Sequence, residues 1–368
     1  MSVITGTRRR AIDLPRGHAR PDRVALHPVS DQTTRRAWAA YVENAAGGTL
    51  FHHPDWCENV QAVFGHRPLH HLALRGGRVV GVLPLMEVRS WLAGTLLVSV
   101  PYATYGGILG DDPAARQALA REAMRLADSR GARSLQLRSR TADVPGLTTD
   151  DRYASFTRRL PLRVDELGGY LPRKARAAAR RACEREKLSV QHDASLLPMV
   201  WQLYARSMRR LASLNYPHRF FEALRARLGR RAWVTVVRRA ERPLAGLLSF
   251  VFGDTVYPYF VGMDERLRCT GAGNLLYLSV MERAVRSGLR WFDFGRSRRD
   301  NVGSFDFKRN QGFEPQVLGY QCYLPAGRTA PDLTPANPRF ALARRLWPRL
   351  PLTCTKPLGC WLSKSIPG

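Results

Sequence analysis

Two distant stretches of the chain share one pattern of apolar and polar positions. Residues 72–85 read LALRGGRVVGVLPL, an apolar run, a charged glycine turn and a second apolar run carrying Gly81. Residues 234–250 read VTVVRRAERPLAGLLSF, with the same order and with Gly246 in the second run. Short apolar runs bounded by turn residues predict β-hairpins. Downstream of each, apolar residues recur at helical spacing: Leu119, Ala120, Met124 and Leu126 within 114–130, then Leu275, Leu278, Met281, Ala284 and Val285 within 274–287. Gly131 and Gly288 follow, and glycine is the residue that most easily takes the left-handed turn closing a helix. A strand comes next in both halves, ARSLQLRSR and then LRWFDFGRSR. Two further helices are predicted at 199–211 and 217–228, ahead of the second hairpin.

The step from Gly81 to Gly246 nearly equals the step from Arg138-Ser139 to Arg296-Ser297. The pattern therefore predicts a duplication: two α/β domains of one architecture, each a mixed sheet flanked by helices. The expected division is a flexible basic N-terminus over 1–23, a first domain over 24–160, a second over 161–325 and a basic amphipathic tail over 326–368.

The 368 residues suit two domains, and 45% apolar content supplies enough for real cores, which excludes a disordered basic chain. The net charge of +28 comes almost entirely from arginine, with lysine only at Lys174, Lys187, Lys308, Lys356 and Lys364. A lysine that persists in such a chain draws attention, because its compact ammonium does what a guanidinium fork cannot. The six cysteines are scattered without a CxxC pair, which argues for reduced thiols in the cytosol and against a zinc module or disulfide scaffold. The uncharged stretch Ser90–Gly110 is long enough to span a bilayer, but Pro101, Tyr102, Tyr105 and the Gly106-Gly107 pair predict strands and turns there. The start, MSVITGTRRR, lacks the apolar core of a secretory signal. The expectation is a cytoplasmic protein, either free or peripheral at the inner face of the cytoplasmic membrane. No helix-turn-helix, zinc-finger or RNA-recognition signature is present, so sequence-specific DNA binding is not expected.

Four segments carry candidate chemistry. LPRKARAAARRACEREK, 171–187, holds seven basic and two acidic side chains, with Arg173, Lys174 and Arg176 in front. It reads equally as a solvated helix face or as a cationic clamp for phosphate. Arg268-Cys269-Thr270-Gly271-Ala272-Gly273 opens the helix at 274. Arg268, Gly271 and Gly273 suit the pyrophosphate of coenzyme A, because glycines let backbone amides approach an anion at a helix N-terminus; a plain glycine turn is the alternative. WFDFG places Asp293 on a strand opposite Phe292 and Phe294, with Gly295 ending it, and Asp293 with Arg296 reads either as a structural ion pair or as part of a site. In FDFK, strand alternation puts Phe305 and Phe307 on one face and Asp306 and Lys308 on the other. His66 and His218 read as turn or packing residues, and no Ser-His-Asp or Cys-His order stands out. Residues 333–368 hold six basic side chains and no acidic one, with Phe340, Trp347 and Trp361 interleaved and prolines breaking any long helix. That composition suits either an anionic membrane face or packing on the second domain.

YGGIL (105–109), LPRKAR (171–176), FDFGRS (292–297) and above all FDFKRNQGFEP (305–315) resemble the FemAB-related proteins of exosortase and exopolysaccharide systems, within the GNAT superfamily with a BioF2-like acetyltransferase domain. FHHPDWCENVQAVFGHRP (51–68) fits the same pattern, and the resemblance spans roughly 50–325. It implies two tandem GNAT-like domains and an acyl or aminoacyl transferase acting on an amine or hydroxyl of a cell-envelope or exopolysaccharide precursor. The donor would be acyl-CoA or aminoacyl-tRNA as co-substrate, with no tightly bound cofactor and no metal, and the acceptor an envelope or lipid-linked molecule. The resemblance gives Lys308 a role in transfer or in binding substrate phosphate. Asp293 is expected to take a proton through water, and Arg173, Lys174, Arg176, Arg296, Tyr259 and Asp306 to bind substrate. The chain lacks the long helical arm that some Fem transferases use for tRNA. The second function class is a non-catalytic basic adaptor of the same fold that binds nucleic acid or a membrane-bound polysaccharide-synthesis assembly.

Overall fold

The computed structural model describes residues 23–264, 271–333 and 337–368. The expected flexible segment 1–23 therefore lies, but for its last residue, outside the described residues. Two compact units emerge. The first takes residues 23–151, 318–333 and 362–368, and the second takes 152–264, 271–317 and 337–361.

In the first unit the chain runs β1 (Ala25–Pro28), α1 (Gln32–Asn44), α2 (Pro54–Phe64), β2 (Arg67–Pro68), β3 (His71–Arg75), β4 (Arg78–Leu83), β5 (Met86–Ser90), β6 (Gly94–Val98), β7 (Leu109–Gly110), α3 (Pro113–Ser129), β8 (Ser134–Arg138) and β9 (Thr148–Asp150). The second unit follows with β10 (Tyr153–Arg159), α4 (Leu167–Tyr170), α5 (Arg173–Glu184), β11 (Leu188–Gln191), α6 (Leu197–Arg210), α7 (His218–Leu228), β12 (Ala232–Arg239), β13 (Arg242–Phe252), β14 (Thr255–Met263), α8 (Ala272–Arg286), β15 (Trp291–Arg298), α9 (Val302–Arg309) and β16 (Gln316–Val317). Then β17 (Tyr320–Tyr323) returns to the first unit, and α10 (Ala341–Leu346) and α11 (Leu352–Leu362) close the chain.

The first unit holds two sheets, β1-β3-β4-β7 and β2-β5-β6-β8-β17-β9, and the second unit one sheet, β11-β12-β13-β14-β15-β10-β16. The duplication shows in the pairing. Each unit has one parallel neighbour pair, β6·β8 and β14·β15, and each pair is joined through one long helix, α3 or α8; every other described ladder is antiparallel. Parallel neighbours need such a crossover, whereas antiparallel ones do not. Both repeat glycines serve close helix packing, though with different helices. A Cβ on Gly81 would stand 3.1 Å from Leu119 of α3, and one on Gly246 would stand 3.1 Å from Val200 of α6.

The predicted helices and hairpins form within a residue or two of the expected places. Gly131 and Gly288 take positive φ of 59° and 75° behind α3 and α8. Ser90–Gly110 is strand and turn, as its composition required, and no helix among the described residues is long and apolar enough to cross a membrane. His66 is a packing residue, its Nε2 2.8 Å from the Tyr102 hydroxyl, and burial pushes its pKa down to about 4. His218 lies against Trp201 at 5.1 Å between ring centroids.

The division differs from the expected one in two respects. β10, placed by the sequence pattern at the end of the first domain, pairs with β15 and β16 of the second unit, so the change of unit comes at Arg152. The stretch 326–368 is not one appendage: 337–361 belongs to the second unit and 362–368 to the first. The second unit's core joins Phe156, Phe292, Phe294 and Phe313 to the buried face of α8, Leu276, Val280, Met281 and Ala284. Full burial of each of the Phe, Leu, Val and Met side chains contributes about 1.5–3 kcal/mol.

Candidate active site

β14 and β15 begin side by side and then part. Their parallel register covers two pairs, Thr255↔Trp291 and Val256↔Phe292, although the strands are nine and eight residues long. β14 carries on along β13 to Met263, with a bulge that leaves Tyr259 as the extra residue between Phe260 and Pro258. β15 carries on along β10 to Arg298. Past Val256 a wedge therefore opens within the second unit, with backbone groups of β14 left without a β15 partner among the described residues.

α8 starts at the wide end of the wedge. A Cβ on Gly273 would stand 2.9 Å from Met263 Cε, at the last residue of β14, and 3.8 Å from the Phe307 ring of α9. Gly271 caps the helix at φ +93°, a conformation that disfavours any side chain, and a Cβ there would lie 2.2 Å from the Ala178 carbonyl of α5. Among the described residues no side chain caps this N-terminus, which leaves the first-turn amides as donors for a ligand. Arg268, the third member of the expected anion loop, lies outside the described residues.

Gly295 does not end its strand. It sits at φ +68° inside β15, in a bulge where the register with β10 jumps from Ser155↔Arg296 to Thr157↔Asp293. Asp293 is buried and accepts from the Gly295 amide at 2.8 Å, which holds the bulge. The bulge turns two carbonyls out of the ladder, and Lys308 takes them: its Nζ donates to Gly295 O at 3.3 Å and to Arg296 O at 2.9 Å, while lying 5.2 Å from the Phe156 ring centre.

Lys308 reaches that position from a helix. The FDFK segment, read as a strand from its alternation, is the middle of α9, whose N-terminus is capped by Asn301 through the Ser304 amide. Ten residues between a capping Asn301 and a positive-φ turn at Gly312 favour a helix over an isolated strand with no ladder to join. The helical step brings Phe305 and Lys308, three apart, together on Phe156. It also separates Asp306 from Lys308 by about 200° around the axis. Asp306 instead lies 3.6 Å from Arg309, half-exposed, and stands apart from the lysine.

Burial removes water from the Lys308 ammonium and pushes its pKa down to about 7, against the pull of the Asp293 charge; the Arg296 charge adds to the lowering. A neutral amine has two N–H bonds and one lone pair. The two carbonyls occupy both N–H bonds, so the lone pair remains for a proton. Arg296 itself lies over the Tyr153 ring at 4.6 Å. Tyr259, half-buried, packs its ring on Phe250 and Phe260 at 5.9 and 4.8 Å. Arg173, Lys174 and Arg176 are exposed on the first turns of α5, where Arg176 donates to the Gly168 carbonyl. A Cβ on Gly312 would stand 3.1 Å from Pro172, which puts the turn after α9 against the start of α5. The two quoted sequence blocks, FDFKRNQGFEP and LPRKAR, thus meet in space.

Three groups here escaped the sequence reading. Gln311 is 1% exposed and its Nε2 has no hydrogen-bond partner among the described residues. Thr157 Oγ1, on the residue directly opposite Asp293, and the Tyr170 hydroxyl, whose ring packs on Phe313, are in the same condition. A buried polar atom left unpaired costs about 1–3 kcal/mol, which a bound ligand would relieve. The only sequence signal was a Gln inside an otherwise turn-forming Asn-Gln-Gly.

Residues 171–309 match the acetyltransferase (GNAT) domain family. This part of the chain is a GNAT domain. All the described site residues named above from Arg173 to Lys308 fall within it, and Gln311 lies just beyond. The chain is similar in fold to FemX, at TM-score 0.60 and 16% identity over 82% of this chain and 97% of FemX. It is similar to a tandem GNAT protein from the clavulanic acid biosynthesis pathway, at 0.53 and 17% over 83% of this chain and all of that one (100%). A third likeness is to the C-terminal domain of a putative lysylphosphatidylglycerol synthetase from Agrobacterium fabrum, at 0.50 and 15% over 73% and 88%. No curated protein matches the chain in sequence. The fold is that of tandem GNAT-like proteins, similar to that of FemX, and the domain over 171–309 is of the acetyltransferase (GNAT) type. Among the described residues no group of His, Cys, Asp or Glu is placed to hold a metal ion.

Proposed function

We propose that the protein transfers an activated acyl or aminoacyl group to an amine or hydroxyl of a cell-envelope or exopolysaccharide precursor, in the cytoplasm, with Lys308 receiving the acceptor's proton. The observation that carries this is Lys308 itself, buried beside the β15 bulge with its pKa down to about 7 and both N–H bonds committed to carbonyls. A base with a pKa near the working pH combines a large neutral fraction with useful basicity.

In the step proposed, the acceptor nitrogen or oxygen attacks the donor carbonyl carbon and a C–N or C–O bond forms. The C–S bond of a thioester or the C–O bond of an aminoacyl ester breaks. The acceptor's proton passes to Lys308, directly or through one water, and the leaving thiolate or alkoxide is protonated in turn. The donor is already activated, so alignment supplies much of the acceleration. The β14 backbone past its last β15 pair and the open first turn of α8 supply donors for the carbonyl oxygen and for a phosphate of the donor. Asp293 holds the bulge that aims Lys308, which makes it a positioning residue. Exposed Arg173 and Lys174 suit a phosphate group of either donor class.

Purified protein is incubated with acetyl-CoA or with aminoacyl-tRNA and an envelope-precursor extract, and transfer is followed by mass spectrometry. Lys308→Met is expected to lower turnover about 10²–10⁴-fold, the usual range for a lost acid–base group. Full turnover in that variant rejects the role of Lys308; no transfer from either donor favours the adaptor reading.

A further inference from the structure

We infer that residues 339–361 form a docking surface for an anionic lipid bilayer. All six residues of α10 are exposed. Leu342 and Leu346, one turn apart on one face, are 69% and 45% exposed. α11 buries the opposite kind of face. Thr355 and Gly359 turn inward, and a Cβ on Gly359 would stand 2.3 Å from the side-chain oxygen of Asn215, whose amide donates to the Lys356 carbonyl. Away from that contact α11 presents Leu358 and Trp361, 43% and 57% exposed and three residues apart. Arg339, Arg344, Arg345 and Arg349 are exposed along the same stretch of chain, and no acidic side chain occurs anywhere in 333–368.

Single exposed leucines need no explanation, but four large apolar side chains within twenty residues, set among arginines, do. A nucleic acid would use the guanidinium groups and leave the leucines and tryptophan in water. An anionic bilayer uses both: phosphates pair with the guanidinium groups, and the headgroup–acyl boundary takes leucine and the amphipathic indole. The charge balance, +28 over the whole chain, draws the protein to such a surface from solution. The inference does not depend on the donor or on the reaction proposed above.

The full chain is sedimented with vesicles of phosphatidylcholine alone or with one-quarter phosphatidylglycerol, in low and in high salt. Binding is expected to the anionic vesicles and to weaken with salt. The pair Leu342→Ser and Trp361→Ser, which leaves the charge intact, is expected to lower binding at least tenfold. The pair Arg344→Gln and Arg345→Gln is expected to lower it about thirty-fold. Circular dichroism of both variants checks that they fold. Absence of wild-type binding to anionic vesicles overturns the inference. So does an unchanged affinity of the serine pair alongside tRNA binding lost in the glutamine pair, which would assign the face to nucleic acid. No acyl transfer enters the assay, so failure here leaves the proposed reaction standing.

Discussion

Replacing Lys308 by Met keeps an unbranched side chain of similar volume on Phe156 and removes the titrating nitrogen. The consequence for stability follows from the two states of the chain. In the folded protein the amine loses its proton near pH 7, and in the unfolded chain it keeps it to the ordinary 10.5. Between these values the unfolded chain binds the additional proton, so the wild type gains stability as pH rises through the window. The slope is half of its full value at pH 7 and reaches about 1.4 kcal/mol per pH unit above pH 8, which sums to about 2 kcal/mol between pH 7 and pH 9. The variant lacks this dependence. Urea unfolding of both proteins at intervals from pH 6 to pH 10, taken as the wild-type value minus the variant's, should rise by that amount and level off toward pH 6. A flat difference would mean that Lys308 is charged in the folded state at pH 9, and with it the lone pair assigned to the acceptor's proton would disappear. The same midpoint should govern turnover: the rate with a saturating donor is expected to rise through about pH 7, as the neutral amine forms, and a rate falling through that point would refute its action as a base.

Gly295→Ala places a Cβ on a residue at φ +68° and is expected to cost about 1–2 kcal/mol in urea unfolding, with turnover falling further than stability because the carbonyls that hold Lys308 shift. Gly271→Ala forces a Cβ to within 2.2 Å of the Ala178 carbonyl, so the start of α8 must move; acetyl-CoA binding by calorimetry is expected to weaken more than tenfold, and unchanged affinity would place the donor elsewhere. Gln311→Leu removes a buried amide with no partner at its nitrogen and is expected to raise stability by about 1 kcal/mol while lowering turnover; gain in both would mark Gln311 as a plain packing position.

Much of this arrangement was legible because apolar spacing reports burial directly. The α3 and α8 patterns, the hairpin glycines and the strands ahead of Arg138 and Arg296 all came from period alone, and they located the duplication. Lys308 was legible from its rarity. The errors share a physical cause: local pattern cannot report what a segment has to pair with. Phe305-Asp306-Phe307-Lys308 alternates like a strand, yet no ladder is open to it, and the Asn301 cap and the contact of Phe305 and Lys308 with Phe156 decide for a helix. Gly295 reads as a terminus, because one glycine serves equally in a strand end and in a bulge, and only the register with β10 distinguishes them. The unit of β10 and of the last residues is likewise a matter of long-range pairing. Gln311 carried no signal beyond its place between Asn310 and Gly312, since a buried amide without a partner is visible only once its surroundings are built.

β17 pairs on both sides, with β8 through Tyr320↔Arg138 and with β9 through Tyr320↔Asp150, and the Tyr320 hydroxyl donates to the Thr104 carbonyl. During translation the early sheet therefore waits with a vacant slot and two raw strand edges until residue 323 has left the ribosome, on the order of ten to thirty seconds after β9. Such edges are templates for adventitious pairing. Any gene fragment that stops near the apparent midpoint makes that gap permanent, and its product should be found with chaperones or in inclusion bodies.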